Sequence, residues 1–411
     1  MIKRFLLCVG LLAAFALSLP AQDIVTRPPL PFTVRVPSDG SGRWLIEKKH
    51  PVTFKGLTDF CEIEFSVPVD SLPAGSFVQF GVSLENTGPK APKKYVVKIF
   101  DGSNWRSEDD CTFVTVDSEV RHPSVFHHIF TLQSPVTDTL RVRCIVNNPM
   151  ATDGSRLSPN SPDNKTALKS SSYVGAVLRP LGESAPTEVK SILLIGNSFT
   201  YYFGEPFILQ ELAFSQGLQL DMHSSLKGGQ TFRQHCGLEM TGLQIASGPY
   251  DYVIIQGQSQ EPAQWAQAPC KQKDVKKSFL DLCAKIRSVS PDARIFVENT
   301  WSYPAVNNGG FASEEQFLKY LHKGSVRLAK AAHAEYTPVG QAFKAAREAY
   351  PHLDILAGDS KHPGLAGAYL KACVTLLTLT GRPFSADAPS CGLPEQDAAA
   401  LRAIAEQTVL R

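Results

Sequence analysis

The chain has 411 residues, enough for roughly two domains, and an ordinary hydrophobic share of 43%. Its formal net charge is +2, from 41 Lys and Arg against 39 Asp and Glu, with the two signs interspersed. This balance argues against a nucleic-acid-binding surface, which would require a concentrated basic patch.

Residues 1–22 have the pattern of a secretory signal peptide. Lys3 and Arg4 precede an apolar stretch that runs through Leu19, and the small residues Pro20 and Ala21 follow it. A basic start, a short apolar core and a small-residue exit are typical of such peptides, and the stretch is short for a membrane span. We therefore predict cleavage near Ala21 or Gln22 and export to the periplasm or the extracellular space. No later stretch is apolar over the length of a span, so none is expected in the mature protein.

Cysteine usage is compatible with an oxidising compartment. Of the nine cysteines, Cys8 lies in the predicted signal peptide, which leaves an even number that permits disulfides. No Cys-x-x-Cys pair occurs, so neither a zinc ribbon nor a thioredoxin-like site is expected. The spacing leaves the connectivity open, and a free thiol buried as a small hydrophobe is an equal alternative for each cysteine.

Residues 23–181 have the pattern of an all-β domain. Short runs rich in Val, Ile, Phe and Tyr alternate with turn residues, and along 139–146 apolar and basic residues alternate strictly, which indicates one buried and one solvated face. The predicted strands are 62–67, 77–82, 95–100, 126–132, 139–146 and 173–181. Residues 147–172 are polar and predict a long loop. The pattern favours a β-sandwich or jelly roll as an accessory domain.

Residues 188–411 show strand–helix alternation instead. The continuous apolar run 189–195 is typical of a strand buried on both faces of a parallel sheet. Further strands are predicted at 218–224, 252–255, 294–298 and 336–339, and helices at 207–216, 275–289, 314–334, 342–350 and 364–379. Ser313 is the expected N-cap of the helix at 314–334. The alternation predicts a doubly wound α/β domain with its ligand site at the carboxyl ends of the strands.

Ser198 follows the strand at 189–195 directly, in the tripeptide Gly196-Asn197-Ser198. This position places the serine at the ligand-binding edge of the sheet, and Gly196 permits a tight turn there. A serine hydroxyl becomes a good nucleophile only when a base lies within hydrogen-bond reach. The alternative is that Ser198 merely caps the following helix; the tripeptide alone favours that alternative, and a partner motif that supplies the base reverses the preference.

A carboxylate and an imidazole stand three residues apart near the C-terminus, in Asp359-Ser360-Lys361-His362-Pro363. This spacing allows Asp359 to orient the ring of His362, which is then the candidate base for Ser198. Ser360 completes a Gly-Asp-Ser tripeptide, but no strong strand precedes it, so we do not expect it to be the nucleophile. The alternative is an exposed surface loop without a catalytic part.

Two polar stretches follow the next two strands of the predicted sheet. Gly228 and Gly229 follow the second strand, and a glycine amide is suited to hold the oxyanion that develops in acyl transfer. Gln256 ends the third strand, and its carboxamide is a further candidate donor. The alternatives are a flexible turn for the glycines and a polar loop that contacts only water for the glutamine.

These motifs resemble the blocks of the SGNH, or GDSL-like, hydrolase superfamily. The first block, Gly-Asp-Ser, resembles Gly196-Asn197-Ser198, and the fifth, Asp-x-x-His-Pro, matches Asp359, His362 and Pro363. The second-block glycine corresponds to Gly228 or Gly229, and the resemblance favours Gly229. The usual third block, Gly-x-Asn-Asp, is replaced by Gln256-Gly257-Gln258-Ser259, which looks like the variant of sialate-O-acetylesterase-like and acetylxylan-esterase-like branches.

The resemblance covers about residues 189–379 and carries expectations for fold and chemistry. It implies a flavodoxin-like three-layer fold and ester hydrolysis without a metal or other cofactor. Ser198 is then the nucleophile, His362 the base and Asp359 the residue that orients it. The amides of Ser198 and Gly229, with the side chain of Gln256, are expected to hold the oxyanion.

The sequence therefore predicts an exported serine esterase that removes small acyl groups, such as acetyl, from an oligo- or polysaccharide. Asn197, Gln258 and Trp301 are candidate substrate-binding residues, and Trp301 at the core edge is an equal alternative. No metal site is expected, because the adjacent His127 and His128 point to opposite faces of a strand. Two other functions stay open: a methyl, aryl or lipid esterase on the same triad, and a glycan-binding protein with a degenerate hydrolase domain.

Overall fold

The computed structural model describes residues 175–410 apart from 305–309. Before them it describes residues 25–26, 45–46, 50–54, 60–86, 94–100, 105–106, 112–114, 122–147 and 166–170. The predicted signal peptide lies outside the described residues.

The described residues before 183 form two β-sheets. Their strands are β1 (Val25–Thr26), β2 (Leu45–Ile46), β3 (His50–Phe54), β4 (Phe60–Leu72), β5 (Phe77–Asn86), β6 (Lys94–Phe100), β7 (Trp105–Arg106), β8 (Thr112–Val114), β9 (His122–Thr131), β10 (Val136–Asn147), β11 (Thr166–Ser170) and β12 (Gly175–Gly182). One sheet has the order β1-β4-β10-β6-β7 with β8 on β6, and the other has β2-β12-β5-β11-β3 with β9 on β5. All pairings are antiparallel except that of β1 with β4.

The strands agree with the predicted β region, whereas the sandwich or jelly-roll packing of the two sheets stays a prediction. One part of the loop predicted at 147–172 is wrong, because β11 lies within it and pairs with β3 and β5. The sequence of β11, Thr-Ala-Leu-Lys-Ser, lacks an apolar run. Its extended conformation comes from hydrogen bonds to neighbouring strands, which a local pattern does not reveal.

The α/β region is built on a five-stranded parallel sheet. Its strands are β13 (Glu188–Gly196), β14 (Leu218–Leu226), β15 (Tyr252–Ile255), β16 (Arg294–Glu298) and β17 (Glu335–Thr337). The order is β14-β13-β15-β16-β17, and every pair is parallel, so the prediction of a parallel α/β domain is confirmed. The order reverses at β13, the first strand, and Ser198 follows that strand. In an open α/β sheet such a switch point is where the ligand crevice forms.

Helices cover both faces of this sheet. They are α1 (Ser198–Tyr201), α2 (Glu205–Ser215), α3 (Phe232–Gly237), α4 (Glu239–Ala246), α5 (Glu261–Gln267), α6 (Lys273–Val289), α7 (Glu314–Ala332), α8 (Val339–Ala349), α9 (Leu365–Thr380) and α10 (Glu395–Val409). Successive residues of a strand point to opposite faces. Accordingly, Ile192 and Leu194 join one buried cluster with α2, α8, α9 and α10, and Leu193 and Ile195 join another with α6. The three layers place the site at the carboxyl edge of the middle layer.

Several helices were not predicted from the sequence. Helix α10 buries Ala398, Leu401 and Ala405 against the core, but its alanine-rich sequence offers little contrast between faces. Helices α3, α4 and α5 lie in segments that contain polar and turn residues, and α3 is fixed by the capping box of Thr231 and Gln234. The predicted N-cap Ser313 is confirmed, since its hydroxyl accepts the amide of Gln316 at 3.1 Å.

The cysteines of the α/β region are thiols. Cys236, Cys270, Cys283, Cys373 and Cys391 are free, and three of them are buried. The alternative of a buried free thiol therefore applies to Cys283, Cys373 and Cys391, whereas Cys236 is half-buried and Cys270 is exposed. Among the described residues, no helix has the length and apolarity needed to cross a membrane.

Candidate active site

The nucleophile candidate lies on a capped turn at the end of β13. Asn197 is the N-cap of α1, and its Oδ1 accepts the amide of Phe199 at 3.1 Å. Ser198 is the first helical residue and is half-buried, so its hydroxyl reaches the surface of the site. Here the cap is Asn197 rather than Ser198, so the alternative interpretation of the serine as a helix cap does not hold.

Three side chains form a continuous hydrogen-bonded chain at this edge. His362 Nε2 lies 2.8 Å from Ser198 Oγ, although the two residues are separated by 164 positions in sequence. On the other side of the ring, His362 Nδ1 lies 2.5 Å from Asp359 Oδ2. The predicted serine, histidine and aspartate are thus brought together in the order that nucleophilic catalysis requires.

The loop from Asp359 to His362 is folded by the aspartate itself. Asp359 Oδ1 accepts the amides of Lys361 at 3.0 Å and His362 at 2.9 Å, which leaves Oδ2 for the imidazole. The carbonyl of His362 accepts the amide of Ala357 at 2.8 Å and closes the loop. A spacing of three residues therefore lets one carboxylate fix both the backbone and the ring of the histidine.

Aromatic side chains hold the imidazole from two sides. The ring of Tyr202 stacks on that of His362, with centroids 4.2 Å apart and an interplanar angle of 11°. Phe199 contacts it edge-on at 5.3 Å. Trp301 stacks on Phe199 at 4.5 Å, and its indole N–H donates to the carbonyl of Lys361 at 3.0 Å. These contacts restrict the imidazole to the plane that joins Asp359 and Ser198.

The pKa values of the pair suit a general base at neutral pH. Burial lowers the pKa of His362 below its usual value, although the hydrogen bond and charge of Asp359 oppose the change. Partial burial raises the pKa of Asp359, but hydrogen bonds from the His362 ring and from the amides of His362 and Lys361 outweigh it. The pKa of Asp359 therefore lies below its usual value, and the imidazole is neutral beside an ionised carboxylate.

Two backbone amides are available to hold an oxyanion. Within the described part of the chain, the amides of Ser198 and Gly229 make no hydrogen bond. Gly229 is exposed and has φ of +71°, a left-handed conformation that glycine adopts without strain. The oxyanion role of both amides stays a prediction.

Gln256 is engaged inside the protein at both ends of its carboxamide. The side chain is fully buried, and its Oε1 accepts the amide of Asn197 at 3.0 Å and the hydroxyl of Thr200 at 3.1 Å. Its Nε2 donates to the carbonyl of Gly257. These contacts support a part in positioning the nucleophile turn rather than the predicted oxyanion role.

The three candidate substrate-binding residues differ in accessibility. Asn197 is buried, and its Nδ2 donates to the carbonyls of Gln230 and Gly257, both at 3.1 Å. Trp301 is 0% exposed between Phe199 and Phe343, so the structure contradicts direct contact with substrate. Its neighbours in the core exclude a ligand. Gln258 is half-buried and stays a candidate.

Two buried residues that support the site were not singled out from the sequence. Glu261 Oε2 accepts the amides of Phe232 at 3.0 Å and Gln258 at 2.8 Å and so joins the loops that follow β14 and β15. Burial raises the pKa of Glu261 to about 7, despite these two hydrogen bonds. His235 is also buried and bonds the carbonyl of Gly196. Neither stands in a motif, since each is joined to the site by a backbone group of a distant segment, Phe232 for Glu261 and Gly196 for His235.

A buried ion cluster joins three elements that carry the site. Lys371 Nζ on α9 lies 3.1 Å from Glu205 Oε2 at the start of α2 and 3.1 Å from Glu298 Oε2 at the end of β16. All three side chains are at most 2% exposed. The cluster links the helix after the His362 loop to the segments that follow Tyr202 and precede Trp301. Among the described residues, no group of three His, Cys, Asp or Glu side chains has an arrangement that could hold a metal ion.

Among known proteins, only solved structures are similar to this chain in the comparisons made, and they match about half of it. No protein-family model and no curated protein sequence matches. A DUF4886 family protein from Bacteroides uniformis is similar in structure, with 18% identity over 54% of this chain and 95% of that one and a TM-score of 0.45. A candidate SGNH hydrolase from Slackia heliotrinireducens has 22% identity over 46% and 99%, with a TM-score of 0.38. A catalytic mutant of an acetylxylan esterase from Geobacillus stearothermophilus has 15% identity over 46% and 94%, with a TM-score of 0.37. Such solved structures thus include members of the superfamily that the motifs resemble.

Proposed function

We propose that this protein is an exported serine ester hydrolase that removes small acyl groups, such as acetyl, from a carbohydrate substrate. One observation carries the catalytic part of the proposal. Ser198 Oγ, the His362 ring and the Asp359 carboxylate form a single hydrogen-bonded chain with distances of 2.8 and 2.5 Å. A structural role for the serine offers no reason for this alignment across 164 positions.

The proposed mechanism follows from that alignment. Ser198 Oγ attacks the ester carbonyl carbon while His362 Nε2 accepts the hydroxyl proton, and the C–O bond to the alcohol breaks as His362 returns the proton to the leaving oxygen. Asp359 keeps the proton on Nδ1, so that Nε2 is the accepting nitrogen. Water then repeats the sequence on the acyl-serine and releases the acid. The amides of Ser198 and Gly229 are the proposed donors to the oxyanion.

The substrate part of the proposal rests on the sequence. Residues 1–22 resemble a signal peptide, and an additional β domain precedes the hydrolase region, as expected for an enzyme of extracellular glycans. This association is weaker than the geometry, because a fold does not fix a substrate. The half-buried Gln258 and the exposed loop at Gly228 and Gly229 are the proposed contacts of the sugar.

Hydrolysis of p-nitrophenyl acetate tests the nucleophile. We expect the wild-type protein to be active and Ser198→Ala to lose the activity. Ser360→Ala is the matched control, because Ser360 is exposed in a Gly-Asp-Ser tripeptide and is expected to keep wild-type rates. Activity that persists in Ser198→Ala contradicts the proposal, and its loss in Ser360→Ala would assign the nucleophile to Ser360 instead. Acetate and methanol release from a panel of glycans then separates acetyl from methyl esters.

A further inference from the structure

The peptide unit that joins Gly196 to Asn197, directly before the nucleophile candidate, is held at both of its polar ends. Its carbonyl oxygen accepts the amide of Lys227 at 3.0 Å and the imidazole of His235 at 3.1 Å. Its N–H donates to Gln256 Oε1 at 3.0 Å. Because the peptide unit is planar, these bonds fix its rotation about the chain axis. The next peptide unit along the chain joins Asn197 to Ser198 and carries the Ser198 amide.

The hydrogen bonds of His235 determine its tautomer. A carbonyl oxygen only accepts, so Nε2 carries the proton that is donated to Gly196. Nδ1 lies 3.0 Å from Thr241 Oγ1, and in the neutral ring it must accept the threonine proton. Thr241 Oγ1 lies 2.8 Å from Ser225 Oγ, whose proton completes the chain. Every proton in this chain is therefore assigned, from Ser225 through Thr241 and His235 to Gly196.

Burial keeps this chain in one state. Ser225 is 0% exposed, and His235 and Thr241 are each 1% exposed, so water does not compete for their bonds. Burial also lowers the pKa of His235 to about 4, against the opposing effect of its bond to Gly196. The ring is thus neutral at the pH where an esterase works, as the assignment requires. The chain ties β13 to β14, α3 and α4 at one point.

We infer that His235 is a positioning residue: it holds the Gly196 carbonyl while Gln256 holds the Asn197 amide. Together they orient the hydroxyl and the amide of Ser198 toward the substrate carbonyl. The inference rests on the proposed function, since it gives the buried histidine a purpose only if Ser198 is the nucleophile. Loss of the histidine bond leaves the Gly196 carbonyl held by the amide of Lys227 without its side-chain donor, so the peptide unit is less firmly fixed. His235 does not take part in proton transfer to substrate.

Three variants test the inference with p-nitrophenyl acetate. His235→Leu removes the donor, and we expect kcat to fall by about a hundredfold with little change in KM, the scale expected for a nucleophile displaced by about 1 Å. His235→Gln keeps an N–H donor at the reach of Nε2 and is expected to restore kcat to within about tenfold of the wild type. Ser290→Ala is the matched control, because it also removes a buried hydroxyl, one that accepts the amide of Tyr250 at 3.0 Å, but lies outside this chain, so kcat is expected to stay at the wild-type value.

A spectroscopic measurement keeps the test valid if His235→Leu does not fold. The ¹⁵N NMR shifts of the His235 ring in the wild-type protein are expected to show a proton on Nε2 and none on Nδ1. The opposite tautomer, or a wild-type kcat in His235→Leu, overturns the inference. The two failures can be told apart. If the proposed function is wrong, Ser198→Ala keeps its activity; if only the inference about His235 is wrong, Ser198→Ala is inactive and His235→Leu has a wild-type kcat.

Discussion

Asp359→Asn is the substitution that the geometry of the site makes most informative. The asparagine can keep its oxygen on the amides of Lys361 and His362, which Asp359 now bonds at 3.0 and 2.9 Å. Its NH₂ group then faces His362 Nδ1, which must become an acceptor. The ring proton moves to Nε2, and that nitrogen no longer accepts the proton of Ser198 Oγ, 2.8 Å away.

The expected loss is large because the wrong tautomer predominates, and only the rare tautomer with its proton on Nδ1 leaves Nε2 able to accept the serine proton. The equivalent change in a serine-protease triad costs about 10⁴ in kcat, or about 5 kcal/mol of transition-state stabilisation. We expect a loss of this order here with little change in KM. Steady-state kinetics on p-nitrophenyl acetate measure it, and Asp387→Asn at an exposed position is the matched control. A kcat within about tenfold of the wild type refutes the assignment of Asp359.

The same variant has a predicted pH signature. Activity requires a neutral His362, and burial places the pKa of that ring below its usual value of about 6.5. The acid limb of kcat/KM is therefore expected below about pH 6.5 in the wild type. The charge and hydrogen bond of Asp359 raise the pKa of His362. Removal of that charge in Asp359→Asn is therefore expected to move the acid limb of the variant's residual activity to still lower pH. A limb that moves upward contradicts the account.

The remaining predictions concern the surroundings of the site. Trp301→Phe keeps the stacking on Phe199 and loses the N–H bond to the Lys361 carbonyl, so kcat is expected to fall by about tenfold with KM unchanged; an unchanged kcat contradicts the positioning role. Lys371→Met leaves Glu205 and Glu298 buried without their cation and is expected to lower the free energy of unfolding in urea by about 3–5 kcal/mol, whereas the exposed Lys277→Met is expected to change it little. Glu261 has a pKa of about 7 in the folded protein against about 4.3 unfolded, so the folded state retains a proton that the unfolded state releases between these values. The free energy of unfolding is thus expected to fall as pH rises from about 4.5 to 7, by up to about 3 kcal/mol, and Glu261→Gln is expected to flatten this slope; equal slopes contradict the pKa assignment.

The sequence predicts those parts of the catalytic geometry that depend on residues close together in the chain. The apolar run before Gly196 predicts the strand that delivers Ser198, and the spacing of Asp359 and His362 is short enough for one loop to fix their contact. The parallel sheet follows from the same strand–helix alternation. In each case neighbouring residues determine the conformation, so a pattern reveals it.

The supporting contacts were not accessible because they join distant backbone groups. The position of Gln256 at the end of β15 is evident from the sequence, but its bond to the Asn197 amide depends on the peptide orientation in the adjacent strand. Trp301 is the kind of aromatic residue that stacks on sugars, but its packing between Phe199 and Phe343 buries it completely. His235 bonds a carbonyl 39 positions away, for which no spacing rule exists.

Mass spectrometry of the protein after reaction with a fluorophosphonate tests the central claim most directly, because this reagent phosphonylates an activated serine. Peptide mapping is expected to locate one adduct on Ser198, with none on Ser360, and the adduct is expected to be absent in Ser198→Ala. Loss of esterase activity should follow the extent of labelling. An adduct on Ser360, or complete hydrolysis activity with Ser198 fully labelled, contradicts the account.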